Sequence, residues 1–225
     1  MLSINAERLL SQRYYLPNET WEGLCRRVID DNCRNESTEY KTKMYEYIYN
    51  TIFLPNSPAL VNSGRISNGK FACFVAGPTE DNLENQLDTL KDIAQIEKKG
   101  GGCGFTGTLI RPKNKPVAGS AHGYSYGPNA YAGAVSNYMD MMTQAGFRKM
   151  ALMYTLDCEH EDIEDFINLK QNRSESDLYN FNQSVMASDL FMKKAESDKN
   201  NKERQLLNKI ALNAWNNGEP KSYWA

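Results

Sequence analysis

Apolar residues recur at helical spacing through the first fifty positions. Trp21, Leu24, Cys25 and Val28 fall on one face behind Asn18-Glu19-Thr20, which supplies an N-cap, and Arg26 and Arg27 are expected to point outward. Ser37-Thr38 caps a second segment, with Tyr40, Met44, Tyr47, Ile48 and Ile52 on one face. Pro55 and Pro58 end the pattern, since a proline removes a backbone donor and clashes with the preceding turn.

The texture then changes. Lys70 to Ala76 is a short apolar run closed by Gly77-Pro78, which predicts a buried strand. From Asp81 to Lys99, Leu83, Leu87, Leu90, Ile93, Ala94 and Ile96 recur at helical spacing, with Asp81 as a candidate cap. The cluster Gly100-Gly101-Gly102-Cys103-Gly104-Phe105 leads into Leu109-Ile110, read as a second strand. Residues 113–128 are rich in Gly, Ser and Pro and read as a loop. A helix over 129–143, a strand over 149–156, a helix over 162–170, a strand at 185–187 and a helix from Glu203 to Asn216, ended by Gly218, complete the pattern. The charge-dense stretches 172–177 and 196–204 read as flexible. Strand and helix alternating through short turns is the pattern of an α/β fold with parallel strands.

Composition narrows the class. The 225 residues carry 26 Lys+Arg against 28 Asp+Glu, a net charge of −2, so no basic surface for a nucleic acid polymer is expected. Hydrophobic residues at 40% suffice for a core, while no apolar run nears the roughly 18 residues of a membrane span. The first residues lack a basic segment followed by an apolar one, so no signal peptide is expected and the cytoplasm is the expected location. Five cysteines without any C-x-x-C argue against a disulfide scaffold and a zinc module.

Several segments have candidate chemistry. Adjacent glycines at 100–102 let a backbone approach a phosphate or ribose closely, yet they fit neither P-loop nor dinucleotide spacing, and a tight turn explains them as well. Pro55-Asn56-Ser57-Pro58 either presents polar groups to an anion or is a rigid connector. Cys73 lies in an apolar run, where free cysteines are usually buried and inert, and Lys70 is the cation nearby in sequence. Gln144-Ala145-Gly146-Phe147-Arg148-Lys149 offers amide and guanidinium groups to a nucleotide, or simply caps a helix. His122 and His160 lack metal-ligand spacing, so no metal site is expected.

Together these segments resemble the catalytic large subunit of ribonucleotide reductase, especially its adenosylcobalamin-dependent class. The resemblance rests on Phe53-Leu54-Pro55-Asn56-Ser57-Pro58, Ala72-Cys73-Phe74-Val75, Glu80-Asp81 and Lys99-Gly100-Gly101-Gly102-Cys103-Gly104-Phe105. It continues through Leu109-Ile110-Arg111-Pro112-Lys113, Tyr126-Gly127-Pro128, Gln144-Ala145-Gly146-Phe147-Arg148, His160-Glu161-Asp162-Ile163-Glu164-Asp165-Phe166-Ile167 and Asn180-Phe181-Asn182-Gln183-Ser184-Val185. The fold it implies is an N-terminal helical domain, here 1–54, followed over 55–225 by the first half of a ten-stranded α/β barrel.

The resemblance also implies roles. Cys73 matches a redox-active cysteine that reduces the ribose and is not the radical carrier, while Asn56, Ser57, Ala72 and Gly102 match substrate contacts. Asp81, Arg111, Gln144 and Arg148 match residues that bind a dNTP or ATP effector, at a homodimer face made by helices 82–99 and 129–143. Adenosylcobalamin is the implied cofactor, with a radical from a metal-containing small subunit as the alternative.

There are departures from the family pattern. Ala59 stands where many relatives have Thr, Ala145 and Met150 replace glycines, and Cys103 replaces a frequent Thr. No ATP-binding helical domain precedes the match, so on/off control by ATP and dATP is not expected. The radical-cysteine motif Asn-Pro-Cys-Gly-Glu is absent from the 225 residues. The expectation is an N-terminal portion from a split, intein-interrupted or truncated gene, inactive alone. It would be completed by a C-terminal half that also receives electrons from a thioredoxin-type reductant. The alternatives are a non-catalytic dNTP-binding module and an inactive remnant.

Overall fold

A computed structural model describes residues 2–65, 69–142, 151–171 and 181–224. The chain divides into two compact units, residues 1–72 and 73–225, whereas the change of texture in the sequence falls at Pro55.

The first unit is helical: α1 Ile4–Arg13, α2 Trp21–Asn32, α3 Thr38–Tyr49 and the short α4 Ser57–Asn62. Thr20 and Ser37 cap α2 and α3 through their side-chain oxygens, as their place before each apolar stripe predicts. Trp21, Leu24, Cys25, Val28, Ile29, Ile48 and Leu60 form the core. The apolar face of α3 is narrower than its sequence suggests, since Ile48 is buried while Tyr40 and Tyr47 are exposed.

Arg27 also departs from expectation. Its guanidinium turns inward onto Glu19, with Nε–Oε1 2.7 Å and Nη2–Oε2 2.9 Å, and donates to the carbonyls of Leu60 and Ser63. A planar fork can satisfy a carboxylate and several carbonyls at once, which makes this interior position tolerable for a charge. Burial pushes the Glu19 carboxyl up, and its hydrogen bonds from Arg27 and the Leu16 N–H outweigh that, leaving it below its ordinary value.

The second unit is built on a parallel sheet of order β1-β2-β3-β4-β5, with β1 Cys73–Val75, β2 Gly102–Thr106, β3 Leu152–Asp157, β4 Phe181–Ala187 and β5 Lys221–Trp224. Its helices are α5 Leu83–Lys98, α6 Gly127–Met142, α7 Ile163–Asn168, α8 Asp189–Ser197 and α9 Lys202–Asn217. The strand order never reverses along the chain, which is the winding of a barrel segment and not of a doubly wound sheet.

Side chains alternate across this sheet. Cys103, Phe105, Leu152, Tyr154, Leu156, Phe181, Val185 and Ala187 point to one face and join Ile93, Val135, Met139, Phe166 and Phe191 from the helices in the core. The opposite face carries Cys73, Gly102, Gly104, Met153, Thr155, Asn182 and Ser184.

Three sequence readings need correction here. The second strand begins inside the glycine cluster, at Gly102, and Leu109-Ile110 lies beyond it with Leu109 exposed and Ile110 buried. Asn82, not Asp81, caps α5, accepting from the Asn85 N–H at 2.8 Å. The 196–204 stretch closes one helix and opens another, with Asn201 as the second cap and Arg204 donating to the Ala195 carbonyl. The stretch 172–177 lies outside the described residues.

Candidate functional site

Cys73 begins the edge strand β1 and pairs in register with Gly102 of β2. The thiol predicted to reduce and the backbone predicted to meet substrate are thus neighbours, on the sheet face away from the helices. Cys73 is exposed, against the expectation for an apolar run. Burial pushes the thiols of Cys25 to about 12 and of Cys103 and Cys158 to about 11, so these three stay protonated and unreactive near neutrality. Lys70 is committed elsewhere: its ammonium lies 2.5 Å from Asp31 Oδ2 in the helical unit.

Asn56, Ser57 and Ala72 belong to the helical unit. Asn56 caps α4, its Oδ1 accepting from the Ala59 N–H at 2.9 Å, so this oxygen shapes the loop. The exposed Ser57 hydroxyl shares a 3.1 Å hydrogen bond with the hydroxyl of half-buried Tyr14. Tyr14 was not singled out in the sequence, and only its proximity to the Pro-Asn-Ser-Pro loop reveals it.

Asp81 and Arg111 are thirty residues apart and meet in the sheet unit, with Arg111 Nε donating to Asp81 Oδ2 at 2.5 Å. The capping of α5 by Asn82 leaves Asp81 available for this pair. Arg111 Nη1 also donates to the Pro116 carbonyl at 2.9 Å. Both side chains are about 30% exposed (29% and 31%), so an anion can approach the pair from solvent. Gln144 and Arg148, the other predicted effector contacts, and Ala145 and Met150 beside them lie outside the described residues.

The loop after β2 is closed by two tight contacts. Tyr154, fully buried, donates its hydroxyl to the Pro128 carbonyl at 2.8 Å, and Gly107 makes room for it: a Cβ there would lie 1.7 Å from that oxygen. Gly127 has φ +79°, and a Cβ on it would lie 2.5 Å from Asp162 Oδ2.

Comparison with known proteins shows the family and the fold. The family described as ribonucleotide reductase, barrel domain, matches residues 71–209. The vitamin B12-dependent ribonucleoside-diphosphate reductase of Thermoplasma acidophilum is 34% identical over 195 residues, 80% of this chain and 25% of that protein. The protein of the same name from Mycobacterium tuberculosis is 33% identical over 208 residues, 87% of this chain and 30% of its own length. The chain therefore spans about a quarter to a third of these relatives. A solved Actinobacillus ureae class Id ribonucleotide reductase alpha subunit shares the fold, with TM-score 0.83 and 19% identity over 99% of this chain and 40% of that one. The five-stranded parallel sheet accords with half of that family's barrel. The chain belongs to the ribonucleotide reductase barrel-domain family, as part of a large subunit.

Proposed function

We propose that this chain supplies a reducing thiol, a substrate loop and an effector loop to a reductase that converts ribonucleoside diphosphates to deoxyribonucleotides. The observation that carries the reading is the pairing of exposed Cys73 with Gly102 on the sheet face opposite the helices of its own unit. Replacing the ribose 2′-hydroxyl by hydrogen releases water and takes two electrons, which two thiols provide by joining as a disulfide. Cys73 is one of them. The resemblance assigns the second thiol, together with the Asn-Pro-Cys-Gly-Glu radical site, to sequence outside these 225 residues; Cys103 and Cys158 of the same unit are buried. Ser57 is assigned to a substrate phosphate, and Asn56, Ala72 and Gly102 are each assigned to substrate binding.

The effector is a deoxynucleoside triphosphate or ATP, held by Asp81 and Arg111 together with Gln144 and Arg148. Exposed Leu83 and Leu87 of α5 and Tyr138 and Met141 of α6 support a homodimer face beside it. The two relatives are named as vitamin B12-dependent, and adenosylcobalamin would supply the initiating radical here; a metal-containing small subunit is the alternative. Among the described residues no group of three or more His, Cys, Asp and Glu could hold a metal ion.

The test is reconstitution. The 225-residue chain with adenosylcobalamin and dithiothreitol should form no deoxynucleotide, and adding a polypeptide with the Asn-Pro-Cys-Gly-Glu half of the barrel should restore formation. Turnover by the chain alone would overturn the assignment of the missing groups. A complemented assembly whose output is unchanged by Cys73→Ser would overturn the role of Cys73.

A further inference from the structure

The turn between β3 and α7 has no part in the function proposed above, yet it holds the Arg111 loop at two points. The Asp162 N–H donates to His160 Nδ1 at 3.0 Å, which makes that nitrogen the acceptor and leaves the proton on Nε2. His160 Nε2 then donates to the Ile110 carbonyl at 2.9 Å. Asp162 Oδ2 accepts from the Lys113 N–H at 2.8 Å. The residues on either side of Arg111-Pro112 are thus pinned to one short turn. On the other side, Ser125 Oγ donates to the Arg111 carbonyl at 3.3 Å and the Asn114 N–H donates to the Ser125 carbonyl at 2.8 Å.

A turn that merely stabilised itself would need only the bond from Asp162 N–H to His160 Nδ1. The other two bonds cross about fifty residues of sequence to a different loop, and that loop carries the guanidinium that meets Asp81. Gly127 closes the arrangement, since any side chain there would strike Asp162 Oδ2 and the Lys113 nitrogen.

We propose that His160 and Asp162 are positioning residues for the nucleotide site on Asp81 and Arg111: they fix the backbone at 110 and 113 and so aim the Arg111 side chain. The loop geometry stands independently of the ligand, whereas the ligand class rests on the effector reading above.

Amide side chains separate the two jobs of the imidazole. His160→Gln places a donor where Nε2 sits and keeps the bond to Ile110. His160→Asn keeps an acceptor for the Asp162 N–H and loses the reach to Ile110. The full chain and its His160→Gln, His160→Asn and His160→Ala variants are compared by amide hydrogen exchange at residues 110–116 and by calorimetric titration with dTTP, dGTP and dATP in turn. His160→Gln should behave as wild type. His160→Asn and His160→Ala should lose protection in the loop and about tenfold in nucleotide affinity, as expected for one lost hydrogen bond.

Should His160→Ala fail to fold, His160→Asn still decides, because its turn remains capped. Wild-type behaviour of His160→Asn beside loss in His160→Gln would reduce the role to the turn and overturn the proposal, as would unchanged protection and affinity in all variants. Loss of loop protection in the expected order, without nucleotide binding by the wild type, would uphold the positioning role and defeat the effector reading.

Discussion

The buried Arg27–Glu19 pair shows how one residue can organise a unit. Side-chain exposures of 10% and 9% mean that removing either partner strands a charge in the interior. Glu19→Ala should destabilise the helical unit by about 3 kcal/mol, read by thermal unfolding. A tighter constraint sits at Gly107. Gly107→Ala should unfold the loop after β2 or expel Tyr154, and Tyr154→Phe, which removes the clashing oxygen, should recover part of the loss in the double variant. Tyr154→Phe alone leaves the Pro128 carbonyl without its donor, at about 1–3 kcal/mol. Cysteine reactivity follows exposure: iodoacetamide should alkylate Cys73 in the folded chain, while Cys25, Cys103 and Cys158 react only after unfolding, as peptide mass mapping would show. Of these residue-scale facts only the burial of Cys25, on the apolar stripe of its helix, was legible in the sequence. Arg27 was expected outside and Cys73 inside, because helical spacing cannot see the Glu19 that receives a guanidinium, nor that a three-residue strand leaves its first side chain open.

Among elements, helices with a hydroxyl or amide cap and a periodic stripe could be read directly, as α2 and α3 were. Strands were harder. A glycine-rich segment has no strand propensity of its own, and β2 forms because the neighbouring parallel strands β1 and β3 accept its backbone. The four-residue β5 was not read as a strand, because its Tyr223-Trp224 pair is too short a run to show a period. The start of α5 offers a direct check on the corrected cap. Asn82→Ala should cost about 1 kcal/mol of stability, whereas Asp81→Ala should leave the helix intact and release Arg111. In the helical unit, Lys70 first, then the Gly64 N–H and Arg34, hold the Asp31 carboxyl down at about 2 against an ordinary 3.8. A carboxyl held low stabilises the fold fully above its unfolded value and progressively less as pH falls toward the folded one. Circular dichroism should therefore show the unit weakening between about pH 4 and pH 2, with a shallower dependence in Asp31→Asn.

At the scale of the molecule, the order of motifs carried more than any single one. A glycine cluster, a stiff polar loop and a lone cysteine each had a plain structural reading. Their succession pointed to the reductase family, which the match over residues 71–209 bears out. The folded chain adds what order alone could not: Cys73 beside Gly102, and Asp81 against Arg111. The central claim is that Cys73 delivers electrons to a ribonucleotide once the rest of the barrel is present. It is tested most directly by a single-turnover assay without external reductant. Pre-reduced chain, completed by the half carrying Asn-Pro-Cys-Gly-Glu, is mixed with adenosylcobalamin and a ribonucleoside diphosphate, and the deoxynucleotide formed is measured. Wild type should yield product in proportion to active sites and Cys73→Ser none. Equal yields from the two would contradict the account.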